Sequence, residues 1–155
     1  MTERIHTLAK LLIDGNLKIS VAESCTGGAL ASVLTSVSGA SSYFDCGFIA
    51  YSNKAKVDML KVDFHTITTE GAVSEAVAIA MVKGVVSQSG SDIGVAITGI
   101  AGPTGGTKEK PIGTVCFGFS VKNNFLTSTQ FFKGSREEIV SQSVDFVLSH
   151  LISSL

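Results

Sequence analysis

Residues 19–28 read ISVAESCTGG, an apolar segment that runs directly into small residues and two glycines. The apolar residues Ile19 to Ala22 are predicted to form a short buried strand. The residues from Glu23 to Gly28 are typical of a tight bend, and Thr26 to Val37 has the apolar spacing of a helix. A strand that leads through a bend into a helix indicates an α/β protein.

The same periodicity predicts elements on both sides of this segment. Further helices are predicted over residues 3–14, from the N-cap Ser52 to Leu60, over 74–87 and over 137–151. Further strands are predicted over residues 43–51, 93–98, 113–121 and 125–132, the last two joined by a hairpin turn at 122–124. Gly99 to Pro111 is predicted to be a loop because it holds both prolines. The order predicts one domain over residues 1–155, a three-layer α/β/α sandwich with a mixed, mostly parallel five-stranded sheet.

Composition narrows the functional classes. Hydrophobic residues make up 45% of the 155 and charged residues 16%, which is too apolar for a disordered chain. The net charge is -1 and no basic stripe occurs, so direct binding of nucleic acid is not expected. No apolar run approaches the roughly 20 residues that span a bilayer, and the first ten residues lack a secretory core. We therefore expect a cytoplasmic protein with no membrane partner.

Cysteine and histidine are too scattered to suggest a metal centre. The three cysteines form no CxxC pair, and the three histidines stand alone (Cys25, Cys46, Cys116, His6, His65 and His150). Free thiols in a reducing compartment are the simpler interpretation. The sequence therefore predicts neither a metal site nor a cofactor.

The bend at residues 23–28 could carry chemistry. A strand-to-helix bend can expose a hydroxyl while its backbone amides point at a developing oxyanion. Cys25 is intrinsically the better nucleophile, but a free cysteine is most often a small buried apolar residue. Ser24 needs a base, and no histidine lies nearby in a recognisable motif. The alternative is a plain glycine-rich connection in which Ser24 or Thr26 caps the helix.

A lysine of lowered pKa is another way to activate a serine. Tyr51 to Lys56 reads YSNKAK, and with Ser52 as N-cap, Lys56 would lie in the first turns of a helix. The positive end of that helix would help lower the pKa of an amine. The alternative is that Lys54 and Lys56 are both ordinary surface lysines.

A glycine-rich segment follows the predicted strand 93–98. Residues 98–107 read TGIAGPTGGT, and its glycines would let a phosphate approach the backbone closely. The segment has neither the spacing of a Walker loop nor that of a dinucleotide-binding fingerprint. The alternative is a flexible surface turn.

Five blocks occur in one order along the chain: AESCTGG at 22–28, GASSYF at 39–44, AYSNKAK at 50–56, GAVSE at 71–75 and TGIAGPTGGTKEKPIGTV at 98–115. Together they resemble the CinA C-terminal domain family, the PncC-type nicotinamide-nucleotide amidases, in a stand-alone form. The resemblance covers nearly the whole chain. It implies hydrolysis of nicotinamide mononucleotide to nicotinic acid mononucleotide and ammonia, in the recycling of pyridine nucleotides.

The resemblance also implies roles for matching positions. Ser24 corresponds to the nucleophile, and Tyr51 and Lys56 correspond to its activating pair. The backbone amides of Cys25, Thr26, Gly27 and Gly28 would hold the oxyanion. Positions associated with substrate binding are Ser41, Thr98 and Arg136, and the loop glycines Gly102, Gly105 and Gly106 would approach the phosphate.

Two positions depart from the family pattern: Asp45-Cys46 follows Phe44, and Val140 stands where many members carry a second arginine. Both bear on substrate affinity, since neither is the implied nucleophile or base. The family resemblance further implies a homodimer or higher oligomer. Two other functions stay open, a catalytically weak interaction module linked to competence and DNA damage, and a plain nucleotide-binding domain.

Overall fold

The computed structural model describes residues 1–155 and contains six α-helices, one short 3-10 turn and five strands. The helices are α1 (Thr2–Asp14), α2 (Ala29–Leu34), α3 (Asn53–Leu60), α4 (Phe64–Glu70), α5 (Glu75–Ser89) and α6 (Arg136–Ser154). The strands are β1 (Ile19–Glu23), β2 (Phe44–Ile49), β3 (Ile93–Gly99), β4 (Thr114–Val121) and β5 (Asn124–Phe131). The 3-10 turn spans Ala40–Ser42, just before β2.

The strands form one sheet in the order β2-β1-β3-β4-β5. β1 pairs in parallel with both β2 and β3, while β4 pairs antiparallel with β3 and with β5. Four strands therefore run in one direction and only β4 runs in the other. This agrees with the predicted mixed, mostly parallel five-stranded sheet.

Helices cover both faces of the sheet, as a three-layer sandwich requires. On one face α1, α2 and α6 pack on the large side chains of the central strands, such as Val21, Val95 and Phe117. On the other face α3, α4 and α5 pack on small strand residues, such as Ala22 and Ala96. β1 is buried along its whole length, because a strand covered on both faces has no solvent side.

Small residues on the second face let α5 lie close to the sheet. A Cβ atom built on Gly118 of β4 would lie 2.4 Å from the carbonyl oxygen of Ala78 in α5. A Cβ on Gly94 of β3 would lie 2.6 Å from Val86 Cγ1. The apolar segments of β3 and β4 therefore carry glycine where the helix backbone or its side chains need the space.

Most predicted elements are confirmed, with shifts of one to three residues at their ends. Ser52 is the N-cap of α3, and its side chain accepts a hydrogen bond from the Ala55 amide. The hairpin turn is confirmed, and Lys122 and Asn123 both adopt the positive φ angles of a tight two-residue turn.

The helix predicted over residues 26–37 is wrong at both ends. Gly27 and Gly28 have φ angles of 55° and 104°, which no right-handed helix allows, so α2 begins only at Ala29. At the other end, the hydroxyls of Thr35 and Ser36 donate to carbonyl oxygens of the last turn. Such hydroxyl contacts compete with continued helix formation.

The helix α4 was not predicted at all. Its sequence, FHTITTE, is rich in β-branched residues of low helix propensity, and only Ile67 is buried. The helix starts because the Asp63 carboxylate accepts from the His65 amide.

No helix of the structure has both the length and the apolar character needed to cross a membrane.

The close approach of α5 to β4 predicts a specific weakness. Gly118→Ala should lower the free energy of unfolding by about 1–3 kcal/mol, because the new methyl group would overlap backbone of α5. Urea unfolding followed by circular dichroism would measure the loss. Gly47→Ala in the edge strand β2 is the control, since a Cβ there would lie 3.2 Å from a side-chain methyl of Val21 and would not overlap backbone. Equal losses in the two variants would contradict this account of the packing.

Candidate active site

The bend after β1 is held by the residue that precedes the candidate nucleophile. Glu23 is 1% exposed, and its carboxylate accepts hydrogen bonds of 2.9 Å from the amides of Leu30 and Ala31 in α2. These bonds satisfy two amides that the first turn of the helix cannot satisfy itself. They tie the end of β1 to the start of α2, so residues 24–28 are confined to a short, closed bend.

Ser24 lies at the start of this bend, beside the buried amine of Lys56. Lys56 Nζ lies 3.0 Å from Ser24 Oγ and 3.1 Å from the main-chain oxygen of Tyr51. Ser24 Oγ in turn lies 3.2 Å from the same Tyr51 oxygen. The hydroxyl, the amine and the carbonyl oxygen therefore form a closed triangle of hydrogen bonds.

Tyr51 takes part in this triangle through its backbone and not through its phenol group. Its hydroxyl accepts a hydrogen bond of 2.9 Å from Arg136 Nη2, and its side chain is 56% exposed. The sequence block pairs Tyr51 with Lys56, but it does not reveal which group of Tyr51 contacts the amine.

The environment of Lys56 disfavours the charged form of its amine. The residue is 2% exposed, and burial lowers the pKa of its amine below the usual lysine value. No carboxylate pairs with it, since the four ion pairs of the structure all involve other groups. Lys54 forms an ion pair with Asp58 and is mostly exposed, so it does not act on Lys56 as a neighbouring cation.

The thiol of Cys25 has the opposite character. Burial raises its pKa to about 12, and this effect outweighs the lowering by the nearby positive charge of Arg136. The thiol is therefore protonated at neutral pH, and a thiol is a much weaker nucleophile than a thiolate. Of the two candidate nucleophiles, Ser24 is the one that contacts a base.

Three backbone amides of the bend are free to bind an anion. The Gly27 amide donates to the Ser24 carbonyl oxygen, whereas the amides of Cys25, Thr26 and Gly28 donate to no protein acceptor. Gly27 was predicted as an oxyanion donor with the other three, but its amide already has a partner. The Thr26 hydroxyl is also buried without a hydrogen-bond partner.

A cavity of about 330 Å³ opens beside Ser24 and Lys56. Its walls come from the bend, the start of α3, the segment before α5, the end of β3, the glycine-rich loop and the start of α6. The lining residues are Ser24, Cys25, Tyr51, Asn53, Lys56, Ala72, Val73, Thr98, Gly99, Ile100, Ala101, Gly102, Thr104, Gly105 and Arg136.

The glycine-rich loop presents unoccupied amides along another wall of the cavity. Between Ile100 and Gly113, the only amides that donate to the protein are those of Ile100, Thr107, Lys110 and Gly113. The amides of Gly102, Thr104 and Gly105 are therefore free, and these three residues line the cavity. Successive free amides of this kind form an anion-binding concavity.

The structure brings together most of the residues predicted to bind substrate. Thr98, Gly102, Gly105 and Arg136 all line the cavity, although the Thr98 hydroxyl already donates to the Ala72 carbonyl oxygen at 2.8 Å. Gly106 belongs to the same loop but does not line the cavity. A Cβ on Gly106 would lie 2.8 Å from the Ile112 nitrogen, so this glycine packs against the returning limb of the loop.

Ser41, which was also predicted to bind substrate, does not line the cavity. It belongs to the 3-10 turn before β2, and its carbonyl oxygen accepts from Lys18 Nζ at the start of β1. Ser24 follows the other end of β1, so the length of the strand, roughly 15 Å, separates the two serines within one chain.

Three lining residues outside the glycine-rich loop and one buried carboxylate had been assigned no role from the sequence. Asn53, Ala72 and Val73 line the cavity, and Glu23 holds the bend. All four belong to the sequence blocks at 22–28, 50–56 and 71–75. A charged residue at the end of an otherwise apolar strand was the signal for Glu23, because such a group is buried only when it is hydrogen-bonded.

Comparison with known proteins identifies the family of this chain. The family model described as CinA C-terminal domain matches residues 2–155. A nicotinamide-nucleotide amidohydrolase PncC of Enterobacter agglomerans is 47% identical over 152 residues, which cover 94% of this chain and 92% of that protein. The crystal structure of a competence damage-inducible protein A from Klebsiella pneumoniae has a TM-score of 0.95 at 34% identity, covering 97% of this chain and 94% of that one.

Other relatives are longer. A CinA-like protein of Chlorobium limicola is 50% identical over 138 residues, which cover 86% of this chain but only 32% of that protein. The chain spans about a third of the length of this relative and of similar CinA-like proteins. From the family match and the agreement in fold, the chain belongs to the CinA C-terminal domain family.

Proposed function

We propose that this chain hydrolyses the carboxamide of nicotinamide mononucleotide, with Ser24 as nucleophile and Lys56 as base. One observation carries the proposal: a buried lysine amine lies 3.0 Å from a serine hydroxyl at the wall of a cavity. A nucleophile within hydrogen-bond reach of a base is the arrangement that acyl transfer needs. The name of the relative from Enterobacter agglomerans, which is similar over nearly its whole length, supports the choice of substrate.

The first step removes the proton of Ser24. In the neutral form, Lys56 Nζ has a lone pair that accepts the hydroxyl proton as Ser24 Oγ attacks the carboxamide carbon. The Tyr51 carbonyl oxygen holds both partners, because it accepts from Ser24 Oγ and from Lys56 Nζ. It also stabilises the lysine ammonium that the transfer produces.

The carbonyl oxygen of the substrate becomes an oxyanion in this step. Of the free amides of the bend, that of Cys25 belongs to a residue that lines the cavity, and it is the donor proposed to hold the oxyanion. Collapse of the tetrahedral intermediate breaks the bond between carbon and nitrogen. The amine of the leaving group takes the proton from Lys56 and departs as ammonia, which leaves an ester on Ser24.

Water then completes the reaction. Neutral Lys56 accepts a proton from the attacking water, and the second tetrahedral intermediate breaks the ester bond. The proton returns to Ser24 Oγ, and nicotinic acid mononucleotide is released. The reaction needs no reactant other than substrate and water.

The phosphate of the nucleotide would bind at the wall formed by the glycine-rich loop and the start of α6. Arg136 and the free amides of Gly102, Thr104 and Gly105 belong to that wall. A guanidinium matches the geometry of phosphate, and unoccupied amides add hydrogen bonds to its oxygens. The substrate would therefore be held at both ends, with its carboxamide at Ser24.

Removal of the nucleophile gives the first test of this function. The wild-type chain should release ammonia from nicotinamide mononucleotide, and Ser24→Ala should release none above background while keeping its thermal unfolding transition. Cys25→Ala is the control and should retain most of the activity, because its thiol is protonated at neutral pH. A coupled ammonia assay measures all three proteins. An inactive Cys25→Ala beside an active Ser24→Ala would assign the reaction to the thiol.

The proposed role of Lys56 as base predicts that kcat/KM depends on pH. Because only neutral Lys56 accepts a proton, kcat/KM should rise with pH through one ionisation, at a pH below the ordinary lysine value of about 10.4. Lys56→Arg should be nearly inactive, since a guanidinium stays protonated at working pH. Lys54→Ala is the control and should keep the wild-type profile, because Lys54 points to solvent. A fully active Lys56→Arg would remove Lys56 from the role of base.

The proposed phosphate site predicts that loss of Arg136 lowers activity on the nucleotide more than activity on the riboside. Arg136→Ala should lower kcat/KM for nicotinamide mononucleotide roughly 10-fold to 100-fold, the range expected for lost hydrogen bonds to a charged group. Its effect on nicotinamide riboside, which has no phosphate, should be small. Arg4→Ala is the matched control, because the other arginine of the chain pairs with Asp145 far from the cavity. Equal losses on both substrates would argue against a phosphate contact.

A further inference from the structure

Arg136 connects two walls of the cavity that no other side chain connects by hydrogen bonds. It is the first residue of α6, where Ser135 and Glu138 form a reciprocal capping box that fixes the start of the helix. From there its Nη1 donates to the Gly102 carbonyl oxygen at 2.8 Å, and its Nη2 donates to the Tyr51 hydroxyl at 2.9 Å. The glycine-rich loop and the segment between β2 and α3 are thus joined through one guanidinium.

Tyr51 links this bridge, the pair of Arg136 hydrogen bonds, to Ser24. Its side chain accepts from Arg136, while its backbone oxygen accepts from Lys56 Nζ and Ser24 Oγ. The last sheet bond of this segment runs from the Ala50 amide to Glu23, and the first helical bond runs from the Lys56 amide to Ser52. The Tyr51 amide itself has no backbone partner, so the side-chain bond to Arg136 restrains a peptide that neither the sheet nor the helix holds.

The Arg136 guanidinium keeps N–H groups that are free to bind a ligand. A guanidinium has five N–H groups, and the bonds to Gly102 and Tyr51 use two of them. The remaining groups can bind a phosphate while both protein partners are kept. An anion bound there would restrain Arg136 further and, through the hydroxyl bond, restrain Tyr51.

We propose that Arg136 is a positioning residue, which transmits binding of the substrate's phosphate through the Tyr51 hydroxyl to the Ser24–Lys56 pair. The inference rests on the proposed function and adds that the phosphate raises kcat and not affinity alone. Binding energy from a remote part of a substrate can serve to orient the reacting groups, and truncated substrates then lose kcat. Both Ser24 Oγ and Lys56 Nζ donate to the Tyr51 carbonyl oxygen, so a shift of this oxygen would change how the serine hydroxyl is aligned with the lysine amine.

Tyr51→Phe tests the connection, because it removes the hydroxyl and keeps the backbone oxygen and Arg136. With nicotinamide mononucleotide, kcat should fall roughly 10-fold to 100-fold, the range for one lost hydrogen bond to a charged donor. With nicotinamide riboside the fall should be clearly smaller, because that substrate has no phosphate to restrain Arg136 further. Added inorganic phosphite should raise turnover of the riboside by the wild type and not by Tyr51→Phe.

Tyr43→Phe is the matched control. It removes the hydroxyl of the only other tyrosine, which donates to the Leu34 carbonyl oxygen in the core. It should lower stability but leave the ratio of kcat values for the two substrates unchanged. Equal losses on both substrates in Tyr51→Phe, or a change confined to KM, would overturn the proposal.

A measurement without turnover separates this inference from the proposed function. In the wild type, titration with inorganic phosphate should shift the Lys56 Cε resonance in a saturable manner and leave that of Lys54 unchanged. In Tyr51→Phe the Lys56 shift should be lost. If nicotinamide mononucleotide is hydrolysed but phosphate leaves the Lys56 resonance unmoved in the wild type, the positioning role is wrong. If the shift occurs in the wild type only and no ammonia is released, the coupling stands and the assigned reaction fails.

Discussion

β1 lies between β2 and β3 and is hydrogen-bonded to both in parallel, with Glu23 opposite Ile49 on one side and Ile97 on the other. Because the three strands run in parallel and end within two residues of one another, the segments that follow them emerge side by side at one edge of the sheet. These segments carry Ser24, Tyr51 and the glycine-rich loop. Ligand sites of open α/β sheets form outside the carboxyl ends of the strands, and the cavity lies there.

The ends of the parallel strands position Ser24, and burial changes the pKa of the neighbouring Lys56 amine. An ammonium ion removed from water without a counter-ion is costly, so a buried lysine with no carboxylate partner tends to lose its proton. Lys56 is in this position, because the residues around it supply a hydroxyl and a carbonyl oxygen rather than a charge. The same burial raises the pKa of the Cys25 thiol, since a thiolate is also a charge. Burial therefore lowers the pKa of the Lys56 amine and raises that of the Cys25 thiol at the same site.

Predictions from the sequence were most accurate where the determining interactions are local. Ser52 was identified as the cap of α3 from its place before a helical pattern, and the Lys122-Asn123 turn from its residue types. The start of α2 was placed three residues too early, because the apolar pattern continues into two glycines that adopt left-handed angles. The helix α4 was missed because its own residues favour a helix weakly and a single capping carboxylate starts it.

For the site, the sequence blocks predicted Ser24 and Lys56 as candidate residues, and the family resemblance added Arg136, since motif and residue type are properties of the chain alone. Only the tertiary structure decided that the backbone of Tyr51 contacts the amine, that the Gly27 amide is already occupied and that Ser41 lies at the opposite end of β1. The reason is physical. Periodicity and turn chemistry act over a few residues and can be recognised in the sequence, whereas strand order, burial and hydrogen-bond partners depend on residues tens of positions apart. The pKa of Lys56 belongs to the second kind, because its amine is buried by segments that meet only when the sheet has formed.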